Sequence, residues 1–225
     1  MEIPGTYHPA QRRRGSFLRR ASRYALFRLL PFESRTAELL AGLLDVPDDV
    51  LTMGRWSYFD GVPAVHRYPG APEERIEVGA FCSVAKDVSF VLSGNHDLRR
   101  VTSSPVRKLF GVEGYDTSGE ISGRGGVVLG NDVWVGRGAL LLSGARIGDG
   151  AVIGARAVVS GEVPPYAVVV GNPGQVVRYR FEQATIDRLL ASRWWDLPDE
   201  VLREAVDLLS SRDVEAFLDH VARVS

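Results

Sequence analysis

Four histidines occur in this 225-residue chain, and His96 is the one placed to do chemistry. His8 and His220 lie near the termini and His66 sits in a Pro/Gly-rich segment, whereas His96 interrupts a regular run in VLSGNHDLRR, Val91 to Arg100. Imidazole titrates near neutral pH, so a positioned histidine can take a proton from a weak nucleophile such as a hydroxyl. It can equally just cap the end of an element. The single cysteine, Cys82, is the other group able to attack a carbonyl. It falls in an apolar column of the repeat described next, where a thiol points inward and is unreactive. One cysteine also excludes an intrachain disulfide and a four-thiolate zinc site.

The run that His96 interrupts has a period of six. From Leu129 the chain reads LGNDVW, VGRGAL, LLSGAR, IGDGAV, IGARAV, VSGEVP. The first column (Leu129, Val135, Leu141, Ile147, Ile153, Val159) is aliphatic throughout, and the fifth (Val133, Ala139, Ala145, Ala151, Ala157, Val163) is small and apolar. The second is mostly glycine: Gly130, Gly136, Gly148 and Gly154. This period fits neither a helix nor simple strand alternation. It fits a solenoid with three flat faces, each built from one unit, with the first and fifth columns inward and glycine relieving the corners. An earlier block, VGAFCS VAKDVS FVLSGN (Val78 to Asn95), keeps the beat, and VLTMGRWSYFDG (Val50 to Gly61) reads as a ragged start. Counting on from Phe90, His96 occupies the next inward position, where a buried imidazole would need partners for both nitrogens. The chain is therefore expected to leave the coil there, in an excursion over 96–127 longer than compact domains usually carry without a function.

The formal net charge of −1 conceals a basic N-terminus: residues 1–44 hold eight Arg and three Glu. SFLRRASRYALFRLL (Ser16 to Leu30) has the pattern of a basic amphipathic helix, docked on its own domain or held against a membrane surface or nucleic acid. It lacks the features of a signal peptide. No apolar run approaches the ~20 residues of a membrane span. A cytoplasmic protein with no membrane span and no nucleic-acid partner is expected. After Phe181 the pattern turns helical, with Ile186, Leu189, Leu190 and Trp194 on one face, and the tail is expected to pack across the coil's end.

The units resemble the hexapeptide repeats of left-handed β-helix acyltransferases. IGDGAVIGARAVVSGEVPPYAVVVGNPGQVVRYRF with LLASRWWDLP, together with GNDVWVGRGA, VGAFCSVA, SYFDG and an Asn-His pair opening the excursion, resembles the xenobiotic acetyltransferase family over about residues 50–200. That family includes the streptogramin (virginiamycin) and type-B chloramphenicol acetyltransferases. The resemblance implies a mainly β fold: a left-handed parallel β-helix with an excursion loop and N- and C-terminal helices. The expected divisions are a basic extension over 1–45, the β-helix domain over 46–180 with its loop at 96–127, and a helical tail over 181–225. It implies a homotrimer with an active site at each subunit interface, acetyl-CoA in the groove between coils, no metal, and direct transfer to an acceptor hydroxyl with His96 as general base.

By the same resemblance Tyr58, Phe59, Asn95 and Trp134 face the acceptor, although Tyr58 and Phe59 equally suit the core of an irregular first coil. Trp134 would also touch the pantetheine, and Gly136, Gly154 and Ala155 would let that arm approach the backbone. Arg156, Arg178 and Arg180 would hold the phosphates, with Asn172 of the GNP turn beside the nucleotide. The chain departs from the family after His96: DLRRVTSSPVRKLFG keeps Thr102, Ser103 and Pro105 of the usual run and little else, which leaves the acceptor open. A small-molecule hydroxyl is expected, on an antibiotic or on a sugar or biosynthetic intermediate. A non-enzymatic scaffold, the remaining alternative, would not need His96.

Overall fold

The structure is a computed structural model that describes residues 50–68, 73–112 and 121–224. The basic N-terminal segment lies outside the described residues. Strands of two to five residues, numbered in chain order, wind into a prism whose three faces are parallel sheets. The first face stacks β1 (Leu51–Met53), β4 (Ile76–Val78), β9 (Val127–Leu129), β12 (Arg146–Ile147) and β15 (Glu162–Val163). The second stacks β2 (Tyr58–Phe59), β5 (Ser83–Val84), β10 (Trp134–Val135), β13 (Val152–Ile153) and β16 (Ala167–Val170), ending in the antiparallel β17 (Gln175–Tyr179). The third stacks β3 (Ala64–His66), β6 (Ser89–Val91), β11 (Leu140–Leu142) and β14 (Val158–Val159). This is the left-handed parallel β-helix of hexapeptide-repeat proteins.

The columns read from the sequence become the core. Leu129, Val135, Leu141, Ile147, Ile153 and Val159 are all buried, as are Val133, Ala139, Ala145, Ala151 and Ala157. Each large aliphatic so buried is worth about 1.5–3 kcal/mol, and the small column packs beside it. Val163 belongs elsewhere than expected. It stacks on Ile147 of the first column, only four residues after Val159, so the repeat contracts at the last turn through Gly161. The start of the coil is regular where the sequence looked ragged: Met53, Phe59 and Val65 stack in register on Val78, Val84 and Phe90.

The second-column glycines act between coils, and the left-handed corner conformations fall on other residues. A Cβ on Gly136 would lie 2.6 Å from the amide nitrogen of Ala155, and one on Gly148 2.6 Å from that of Pro165. Any side chain at these positions would push the next coil away.

The excursion leaves between the third and first faces. β7 (Asn95–His96) pairs antiparallel with β8 (Ile121–Ser122), a short helix α1 (Val106–Leu109) follows on the outgoing limb, and β9 then stacks on β4 with Val78 opposite Leu129. The coil therefore keeps its register across the interruption.

The tail is helical: α2 (Gln183–Ser192), a 3-10 turn at Trp194–Asp196, α3 (Asp199–Glu204), α4 (Val206–Leu209) and α5 (Val214–Val224). It does not cover the coil's end as expected. It lies along the corner between the first and second faces, from the first coil to the last. There Ile186, Leu189, Trp194, Trp195, Phe217 and Val221 cluster with Phe81 and Tyr166. Arg55 of the first coil donates to Asp199 at 2.8 Å and to the Trp195 carbonyl at 2.8 Å, and the Trp56 indole N–H donates to Asp199 at 3.0 Å. The corner aromatics Phe81 and Tyr166 give the tail's apolar face an aromatic surface to pack on.

Candidate active site

His96 sits exposed at the foot of the excursion, opposite Ile121 in the β7–β8 pair. The inward register position ended at Leu92, which is buried, and the left-handed Ser93 and Gly94 turn the backbone outward. The Asn95 side chain donates to the Ser122 carbonyl at 3.3 Å, and the Ser122 hydroxyl donates back to the Asn95 carbonyl at 3.3 Å. Asn95 thus clasps the two limbs of the loop, and its amide is engaged with Ser122 instead of the imidazole. Asp97 accepts from the Arg99 guanidinium at 2.9 Å, and that bond holds its carboxyl below the usual range.

Trp134 projects from β10 onto the outer surface of the second face, 56% exposed. Register fixes its row: Tyr58, Ser83, Trp134, Val152, Val168 and Arg178 lie side by side across six strands. Tyr58 and Arg178 therefore share a surface with Trp134. Phe59 does not. It is 2% exposed, points into the prism and meets Phe90 edge-on at 6.3 Å, so the expected pocket role is corrected to core packing. The signal was available, since Met53, Phe59 and Val65 are spaced by six.

The expected cofactor residues divide. Gly136 is buried beneath Ala155 and cannot meet a ligand arm; its smallness serves coil stacking. Gly154 and the exposed Ala155 and Arg156 form the corner between the second and third faces, with Arg156 in the left-handed region at φ 59°. Lys86 and Arg137 occupy the same corner on the two preceding coils, linked through backbone bonds from Gly138 to Lys86 and from Arg156 to Arg137. Sequence reasoning missed both, although each follows a first-column residue by two positions. Asn172 lies exposed in the turn between β16 and β17. Arg180 is corrected: it donates to Asp132 at 2.9 Å and to the Gly150 carbonyl at 2.7 Å, and its guanidinium lies over Tyr166 and Phe181 at 5.2 and 5.4 Å. It ties the tail to the coil. Burial raises the Asp132 carboxyl, and Arg180 opposes that rise.

Cys82 is fully buried, with its thiol 3.0 Å from the Gly130 carbonyl, and burial pushes its pKa up to about 11. A thiol held neutral and out of reach is no nucleophile. Among the described residues no cluster of three or more His, Cys, Asp or Glu is arranged to hold a metal, and no helix is long and apolar enough to cross a membrane.

One relation governs the site. His96 leaves at the edge between the third and first faces, the edge of a triangular prism that lies opposite the second face, where Trp134, Tyr58 and Arg178 project. A single chain keeps the two groups on opposite sides of the coil. Apolar surface stands exposed on both: Leu98, Val101, Leu109 and Phe110 on the excursion, and Trp134, Val176, Val177 and Tyr179 on the second face.

Residues 126–161 match the family model described as bacterial transferase hexapeptide (six repeats). The chain is 36% identical over 177 residues to a chloramphenicol acetyltransferase of Agrobacterium fabrum, spanning 74% of this chain and 85% of that protein. It is 32% identical over 179 residues to a virginiamycin A acetyltransferase of Staphylococcus aureus, spanning 76% and 81%. A solved hexapeptide-repeat acetyltransferase of Vibrio cholerae aligns at 19% identity with a TM-score of 0.47, over 74% of this chain and 94% of that one. With its repeats stacked as a prism and its sequence aligned along most of these relatives, the chain is an acetyltransferase and belongs to the xenobiotic acetyltransferase family of hexapeptide-repeat proteins.

Proposed function

We propose that the protein transfers the acetyl group of acetyl-CoA directly to a hydroxyl of a small molecule, with His96 as general base, in sites shared between copies of a homotrimer. The observation that carries this reading is the placement of an exposed imidazole on the prism edge opposite the Trp134 surface. Such halves meet only head to tail, and a head-to-tail contact that closes makes a ring. The apolar residues on both surfaces favour that contact.

In this reading the acceptor hydroxyl lies against His96 Nδ1 or Nε2. The imidazole takes its proton as oxygen attacks the thioester carbonyl, and returns a proton to the departing CoA thiolate. General-base assistance supplies roughly 10²–10⁴-fold. Trp134 packs on the pantetheine, while Arg156, with Lys86 and Arg137 beside it, faces the phosphates at the corner between the second and third faces. The buried Cys82 supports direct transfer over an acyl-enzyme. The relatives named for chloramphenicol and virginiamycin A make an antibiotic hydroxyl the first acceptor to try.

The test is free-thiol release from acetyl-CoA across a panel holding chloramphenicol, a group A streptogramin and several sugars. His96→Ala is expected to lower turnover of the active acceptor by ~10²-fold or more. Undiminished turnover in that variant would overturn the assignment of the base.

A further inference from the structure

The foot of the excursion is organised around one buried acidic side chain that the transfer chemistry does not use. Glu74, just before β4, is 6% exposed. One carboxylate oxygen accepts the Ser93 amide at 2.7 Å; the other accepts the Gly125 amide at 3.0 Å and the Ser143 hydroxyl at 2.9 Å. Ser93 is where the chain leaves the coil and Gly125 is where it returns. Ser143, on the next coil, also accepts the Arg124 amide at 2.7 Å. Both limbs and the neighbouring coil thus converge on one carboxylate.

The return limb is shaped around it. A Cβ on Gly123 would lie 1.7 Å from a Glu74 carboxylate oxygen, and one on Gly126 2.1 Å from the Arg75 carbonyl. Gly125 stands at φ 97°, a conformation side chains rarely adopt. The glycines of SGRGG (Ser122 to Gly126) therefore let the chain wrap the carboxylate closely. Burying a carboxylate costs heavily unless its lone pairs are filled, and an apolar residue would hold a plain corner with less expense. Three donors, from two loop limbs and the turn after β11, define a position, which is what a reacting group requires.

We infer that Glu74 is the positioning residue for His96. His96 stands three residues beyond Ser93, and its partner Ile121 four residues before Gly125, so the clip fixes both strands of the β7–β8 pair that carries the imidazole. The inference rests on the reading of His96 as the base. A misplacement of about 1 Å at a reacting group costs on the order of 10²-fold.

The test is Glu74→Gln, assayed with acetyl-CoA and chloramphenicol, or with whichever acceptor the panel returns. The amide turns an N–H toward one of the three donors. The expected result is a kcat lowered about 10- to 100-fold with KM for acetyl-CoA within roughly twofold, because the coenzyme corner lies elsewhere. In the His96→Ala background the same substitution is expected to change the rate by less than about twofold, since its effect passes through the imidazole. An unchanged kcat in the single variant, or an equal loss in both backgrounds, would overturn the inference. If Glu74→Gln does not fold, Ser143→Ala removes one donor and is put through the same cycle, with a smaller loss expected only when His96 is present. Full activity of His96→Ala alone would instead condemn the base assignment, whatever Glu74 does.

Discussion

Burial of the Cys82 thiol moves its ionisation from an ordinary 9.0 to about 11, and that shift has a thermodynamic signature. The unfolded thiol ionises first as pH rises. Stability gained by keeping it neutral is therefore fully present below pH 9.0 and is lost as pH climbs toward 11. Two pK units amount to about 3 kcal/mol. Urea melts between pH 8 and 11 are expected to fall less steeply for Cys82→Ala than for the parent chain. A thiol reagent at pH 8 is expected to label Cys82 only after denaturation. Gly136→Ala offers a second check at this scale. Its new Cβ meets the Ala155 amide, and the overpacking is expected to cost about 1–3 kcal/mol in the same melts. The inward role of Cys82 was legible because it sits on a column of small residues. Glu74 was not, because its partners lie 19, 51 and 69 residues away and no local period records them.

Among the elements, the repeat announced itself and the tail did not. An aliphatic at every sixth position dictates which strands stack, so the faces, the core and the break at His96 could be read before any coordinates. Helical periodicity located α2 but carried no information on where its apolar face would land. That was decided by Phe81 and Tyr166, corner residues of distant coils. Arg180 likewise gave no sign that Asp132 and two aromatic rings would claim it. The tail also braces the first coil through Arg55 and Asp199. Trp194→Ala removes the indole packed on Phe81 at 4.9 Å and is expected to cost about 3–5 kcal/mol, read as a lowered urea midpoint.

For the whole molecule, one chain holds His96 and the Trp134 surface on opposite sides of the coil, so the proposed reading makes activity a property of neighbouring chains. Take a His96→Ala preparation and a second inactivated on the other side, Trp134→Ala with Arg178→Ala. Refolded together in equal amounts, they are expected to recover about a quarter of parental turnover, the fraction of interfaces in a randomly mixed ring that join two intact halves. Recovery of none would mean that each chain works alone. The coil tolerates this arrangement because its own stacking carries across the excursion: Val78 lies on Leu129 in register, although the excursion intervenes between β6 and β9. Closing a longer or shorter loop between two such fixed points changes the folding free energy only logarithmically, about 0.6 kcal/mol for each doubling. The excursion is thus attached to the scaffold at few points, the Glu74 carboxylate at its foot and the β7–β8 pair. On the proposed reading, an exchange of the segment beyond His96 is expected to alter which acceptor is taken while the scaffold beneath it stays unchanged.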